Sequence, residues 1–254
     1  MIFLSSPAKT QDFETAWQSE VQTNPEFLSE AADIVKKLES LPIAQLAKVL
    51  QVSKPLAELN YKRYQSWSEA KHQKIGKPSI LAYNGDIFKQ MKPKLYTKEE
   101  QAYAQHSLRV LTGLYGMIRA YDLMLPYRLE MKAVVAIGTY KDLNQYWSEK
   151  LAASLKRDLA AEKKPLLVDL ASGEYSKPIN FKEISVPWVR IEFRENEPGG
   201  IRNVGLFSKK ARGMMVEYLI KKQATTIDDI KGFTTSGSKF ESEKEHELMF
   251  VRKS

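Results

Sequence analysis

The sequence predicts an α+β fold, one compact domain with a mixed sheet and peripheral helices, and three observations carry that reading. Short apolar runs of strand type lie among longer segments of helical periodicity: MIFLS at 1–5, LLVDL at 166–170 and PWVRIEF at 187–193. No stretch has the composition of an interdomain linker and no internal repeat is visible, so a single domain is expected over 1–254. Apolar residues make up 43% of the chain, enough for a real core and too many for disorder.

MIFLS reads as an N-terminal strand with Ser6, Lys9 and Thr10 at its mouth, two hydroxyls and an ammonium suited to an anion. The glycines of a phosphate-binding loop are missing there. Asn24-Pro25-Glu26 opens a helix ending near Ser40, with Phe27, Ala31, Ile34, Val35 and Leu38 on one face. A second helix ends at Leu50, and a third begins after Ser53, a cap, with Pro55 in its first turn. Lys54, Lys62 and Arg63 make this pair basic. Residues 71–78 read as a polar linker, SILAY at 79–83 as a strand, and Asn84-Gly85-Asp86 as a turn into a short helix reaching Met91. Thr97 and Glu100 have capping-box spacing for a helix to Ser107.

Residues 109–131 concentrate what folding alone does not demand: Arg109, Arg119, Arg128, three tyrosines, Gly113 and Gly116. Their apolar positions keep neither a period of 2 nor of 3.6. A strand at 108–112, a glycine turn at 113–116 and an irregular run closed by Pro126 are expected. Arginine cannot shed its charge, so these three need partners, either Asp122 and Glu130 nearby or an anionic ligand.

An amphipathic helix follows at 141–162, built on Leu143, Tyr146, Trp147, Leu151, Leu155 and Leu159. LLVDL is a buried strand with Ser172, Glu174 and Tyr175 just past its end, and PWVRIEF alternates as a half-exposed strand should. After a Pro-Gly-Gly connection, Ser208 is expected to cap a helix over 209–222. That places Lys209, Lys210 and Arg212 in its first turn, against the helix dipole, which points to a docked anion or else to a solvated face. A unit at 226–233 and a strand at 247–252 finish the chain, with strands at both chain ends able to share one sheet.

The formal net charge is +8, from 39 basic and 31 acidic residues, which favours an anionic partner. With no cysteine, disulfide, thiolate and iron–sulfur chemistry are absent, and the three scattered histidines have no metal-ligand spacing. Neither metal nor cofactor is expected. No window approaches a membrane span and 1–4 is too short for a signal peptide, so a cytoplasmic protein with no membrane partner is expected.

Two resemblances add to this. Residues 42–65 resemble a helix-hairpin-helix, a small unit that offers helix N-terminal amides to duplex DNA phosphates. Gln51 and Ser53 stand where that unit usually has glycines. Over essentially its full length the chain also resembles the YaaA family, called DUF328 or UPF0246. The matching motifs are SPAKT (6–10), YNGD (83–86), LTGLYG (111–116), DLMLPYRLEM (122–131), DL with YW (142–147), LAS with EY (170–175) and KKARG (209–213). The resemblance implies a cytoplasmic peroxide stress protein linked to limiting iron-driven damage. It also implies a basic cleft for duplex DNA, here drawing on Lys9, Lys54, Arg63, Arg109, Arg119, Arg128, Lys209, Lys210 and Arg212.

Three functions compete. The first is DNA binding through phosphates without base readout. The second is an enzyme acting on a small anionic substrate, with Asp86, Asp122, Glu130 and Glu174 as acid–base candidates and Lys9 as electrophile or nucleophile. No catalytic triad, Walker loop or dinucleotide fingerprint names a reaction. The third, iron or haem sequestration, lacks a Glu-x-x-His pair. Cavity shape separates the first two, since an enclosed pocket of about 300–1,000 Å³ fits an enzyme and a long open groove fits DNA.

Overall fold

The computed structural model describes residues 1–253. The chain opens on β1 (Ile2–Ser5), buried at every residue as a central parallel strand requires. Helices α1 (Leu28–Glu39), α2 (Ile43–Leu50), α3 (Lys54–Ser66) and α4 (Glu69–Ile75) follow. A two-residue strand β2 (Lys77–Pro78) leads to α5 (Ser79–Ala82). Then α6 (Lys98–Ser107), held by the Thr97–Glu100 capping box, delivers the chain to β3 (Leu108–Thr112). β4 (Gly116–Arg119) and β5 (Leu123–Met124) close the first half. The second half holds α7 (Leu143–Ala160), β6 (Leu167–Asp169), α8 (Gly173–Ser176), β7 (Trp188–Glu197) and β8 (Gly200–Arg202). It ends with α9 (Gly205–Lys222), α10 (Ile227–Lys231), β9 (Lys239–Lys244) and β10 (Glu247–Lys253).

An eight-stranded mixed sheet runs β4-β3-β1-β6-β7-β10-β9 with β8 on β7, and β2 pairs with β5 in a separate ribbon. This is the expected α+β arrangement of a mixed sheet with peripheral helices. β3, β1, β6, β7 and β10 are parallel to one another. Numbered by chain order, these five lie 2-1-3-4-5 across the sheet, so the winding reverses beside β1. Connections leaving the carboxyl ends of β1 and β6 diverge at that reversal and leave a crevice. The strands of the two chain ends share the sheet without touching, β1 between β3 and β6 and β10 between β7 and β9.

Local chemistry departs from the sequence pattern at three places, and one further strand has no clear sequence signal. SILAY forms α5 instead of a strand, because pairing with β5 ends at Pro78, whose fixed φ suits helix entry. The expected linker at 71–78 contains most of α4, which is anchored by buried His72. Its Nε2 lies 3.0 Å from Tyr115 Oη, and burial holds the imidazole below its ordinary pKa. α9 starts at Gly205, and Ser208 caps nothing; its buried hydroxyl donates to Phe193 O (3.0 Å) and Asn203 Oδ1 (2.8 Å). Lys209, Lys210 and Arg212 therefore lie past the first turn, and the dipole argument for them falls. β9 is an exposed, charged edge strand whose KFESEK pattern does not alternate cleanly.

The glycine turn before β4 is fixed by α7. Trp147 Nε1 donates to Gly113 O at 3.0 Å, Gly116 has φ +65°, and a Cβ on Gly116 would stand 2.5 Å from the Trp147 ring. Gly116→Ala should lower the unfolding free energy by about 2–4 kcal/mol through strain and overpacking. Urea unfolding would record a lower midpoint at unchanged m; an unmoved midpoint would contradict this packing account.

Candidate functional site

The crevice begins at two strand ends. Ser6 follows β1 and Ser172 follows β6, and Ser172 N donates to Ser6 Oγ at 2.8 Å. The loop after Ser6 is held from its other side, where Asn84 N donates to Thr10 O (2.9 Å) and Asp12 N to Ala82 O (2.7 Å). Close approach here requires glycine: a Cβ on Gly85 would lie 2.7 Å from Ala8 Cβ. Gly213 likewise lets α9 press on the following segment, where a Cβ would come within 2.1 Å of Ile87 O. Segments far apart in sequence thereby enclose a cavity of about 360 Å³. Five of the seven motifs supply its wall: SPAKT, YNGD, the LEM end of DLMLPYRLEM, LAS with EY, and KKARG.

Its charges are mixed. Lys9, Lys132, Lys209 and Arg212 face Asp86, Glu130 and Glu174, four cations against three carboxylates. Glu130 is buried and already satisfied, with Lys9 Nζ at 2.9 Å, Arg128 Nη2 at 3.0 Å and Lys132 Nζ at 3.4 Å. Burial pushes its carboxyl up, but Lys9, Lys132 and Arg128 together outweigh burial and hold it below the usual glutamate range. Among the described residues, Glu174 pairs only with Lys132, at 3.9 Å. Among the described residues, Lys209 and Arg212 have no hydrogen-bond partner and no carboxylate within ion-pair distance, although the Arg212 charge acts at longer range on buried Asp169 at the end of β6. Beside the cavity, Tyr127 shares a 2.7 Å hydrogen bond with Tyr83, and burial pushes its phenol up to about 12. Two cations at one wall with no carboxylate in ion-pair contact, and carboxylates at the other, can seat an anion and exchange a proton with it.

The remaining cations named from sequence lie elsewhere. Arg109 is buried and fully engaged: Nε and Nη2 donate to Asp158 Oδ2 at 2.8 and 2.7 Å, and Nη1 to His106 O at 2.9 Å. Arg119 stands 3.6 Å from the same aspartate, beside a second, open cavity. Asp122 is not an ion-pair partner there; burial holds its carboxyl up while it accepts from Thr23 Oγ1 (2.5 Å) and Arg119 N (2.8 Å). Lys54 faces Glu58 at 3.9 Å, and Arg63 donates to Asn60 Oδ1 at 3.3 Å, both on α3. Lys210 is exposed and does not line the crevice. The structure brings together Lys9, Arg128, Lys209 and Arg212, and separates them from Arg109, Arg119, Lys54 and Arg63. Sequence reading missed Lys132, whose only signal was its place two residues after Glu130.

A family model described as peroxide stress protein YaaA matches residues 1–244. The UPF0246 protein of Janthinobacterium sp. (strain Marseille) is 34% identical over 255 residues, covering 100% of this chain and 99% of that protein. The UPF0246 protein of Flavobacterium johnsoniae is 35% identical over 254 residues, covering 99% and 100%. That of Azoarcus sp. (strain BH72) is 37% identical over 259 residues, covering 100% and 99%.

Because the folded-state pKa of Glu130 is depressed, its ion pairs stabilise the protein above the ordinary glutamate range and are lost as pH falls through that lowered value. Glu130→Gln should cost about 1.5–3 kcal/mol at pH 7, and the gap to wild type should close below about pH 4. Urea unfolding across pH 3–7 measures it; a gap that stayed constant would mean Glu130 is not held ionised by its neighbours.

Proposed function

The chain belongs to the peroxide stress protein YaaA family, and from that premise we propose that it works through the crevice between β1 and β6 as an enzyme-type site for a small phosphate- or carboxylate-bearing anion. The observation that carries this reading is the pair Lys209 and Arg212 on the wall of a cavity of about 360 Å³: among the described residues neither has a carboxylate within ion-pair distance, and Arg212 Nε has no hydrogen-bond acceptor, its charge being felt only at longer range by buried Asp169. Most other arginines of the chain's basic surplus are spent on internal ion pairs, as Arg109 is on Asp158. That volume falls in the small-ligand range and not in that of a duplex groove. The position also agrees with the general rule that ligands of open parallel sheets sit outside the carboxyl ends, where the winding reverses. Glu130, Glu174 and Asp86 are the acid–base groups of this reading, and Lys9 orients Glu130.

A second reading, duplex DNA binding by the hairpin of α2 and α3, is favoured by one feature. Gln51 adopts a left-handed turn (φ 52°) that leaves the start of α3 exposed beside Lys54 and Lys62, and Ser53 makes no side-chain cap there. Pro55 removes one of the amides a phosphate would use. On this reading, protection from iron-driven damage would come from occupying the duplex.

Inorganic phosphate at one hundred times its Kd should stabilise the protein by about 2.7 kcal/mol. Lys209→Ala combined with Arg212→Met should abolish that gain, and Lys54→Ala with Arg63→Ala should leave it intact. A phosphate response that survived the first pair of substitutions would overturn the crevice assignment. For the hairpin, log affinity for duplex DNA should fall against log salt with a slope steeper than about −2 if several phosphates are neutralised, and should flatten in Lys54→Ala with Arg63→Ala. A shallower slope would retire duplex binding.

A further inference from the structure

The crevice holds two unmet hydrogen-bonding atoms of opposite kind. Glu174 Oε1 is a buried acceptor and Arg212 Nε a buried donor, and among the described residues neither has a hydrogen-bond partner. Both residues line the same cavity, with Glu174 on the α8 side and Arg212 on α9. Leaving such atoms dry costs stability, so a pair of them at a ligand-sized cavity marks where a ligand's own groups belong. The two requirements differ. Arg212, with Lys209 beside it, calls for an anionic acceptor, whereas Glu174 calls for a hydrogen-bond donor. A bare anion answers only the first and leaves Glu174 Oε1 without a donor.

Resting on the crevice reading above, we propose that this site selects a bifunctional small molecule, an anionic group at Arg212 and Lys209 joined by a short spacer to a hydroxyl or ammonium that donates to Glu174. The cavity of about 360 Å³ sets the size. At ~30 Å³ per water it holds roughly a dozen water volumes, room for a hydroxylated phosphate monoester of small sugar-phosphate size and too little for a nucleic-acid strand. Glu130 is not the acceptor, because Lys9, Arg128 and Lys132 already occupy it. Glu174, with one oxygen 3.9 Å from Lys132 and the other unmet, is the specificity-determining carboxylate.

The test compares methyl phosphate, glycerol 3-phosphate and O-phosphoethanolamine by isothermal titration calorimetry on the full chain at pH 8, where each phosphate is a dianion. The two donor-bearing probes should bind at least about tenfold tighter than methyl phosphate, the worth of one hydrogen bond to a charged group. Glu174→Met should erase that preference while leaving methyl phosphate binding in place. Glu174→Gln, which keeps an acceptor oxygen and tests the proposal even if the Met variant does not fold, should keep the preference for glycerol 3-phosphate and lose that for O-phosphoethanolamine. Equal binding of all three probes to wild type, abolished by Arg212→Met, would overturn the selectivity and leave the crevice reading standing. No binding of any probe would overturn both.

Discussion

The reversal of winding beside β1 is the constraint from which the site follows. β1 is followed in the parallel order by β3 on one side, whereas β6 on its other side is followed by β7 still further out, so the connections leaving β1 and β6 run in opposite directions. The gap so created cannot be filled by either loop. It is held at fixed width by the Ser172 N to Ser6 Oγ bond and by Asn84 and Asp12, which pin the loop after β1. Two glycines finish the frame, Gly85 against Ala8 and Gly213 against Ile87, each at a distance where any side chain would collide with its neighbour. A rigid crevice is thus a consequence of topology, and its chemistry depends on which side chains the loops carry.

Charge distribution follows the same logic of burial. An arginine inside a sheet must be paired, and Arg109 at the start of β3 is, with Nε and Nη2 on the α7 aspartate Asp158 and Nη1 on backbone carbonyls. Its guanidinium is consumed by the fold and has nothing left for a ligand. Glu130 is the mirror case, a carboxylate surrounded by Lys9, Arg128 and Lys132. Among the described residues lining the cavity, Lys209 and Arg212, carried past the first turn of α9, are the cations with no carboxylate within ion-pair distance. The net charge of +8 is therefore distributed over separate patches, and its sign matters at the crevice more than its size.

How far the sequence could be read depended on which forces were local. Capping chemistry placed α6 through Thr97 and Glu100, helical periodicity placed α1 and α7, and period-2 alternation placed β7. The motif segments were legible, and five of them meet at one cavity, but no local rule told which would meet. The misses have physical causes. α4 is anchored by a buried histidine bonded to Tyr115, a contact that no apolar pattern records. α5 coils because its strand partner ends at Pro78, which is decided by β5 far along the chain. Ser208 resembled a cap because hydroxyls commonly are, yet its acceptor, Phe193 O, belongs to β7. Arg109 and Arg212 look equally unpaired in sequence; Asp158 approaches only the first.

The central claim is that an anion seats at the carboxyl ends of β1 and β6. Crystals soaked in tungstate, a tetrahedral phosphate mimic with strong anomalous scattering, test it most directly. The account predicts an anomalous peak within hydrogen-bonding distance of Arg212 and Lys209 inside the crevice. A peak confined to the α2–α3 turn or to the surface around Arg119 and Arg157, with none between β1 and β6, would contradict it.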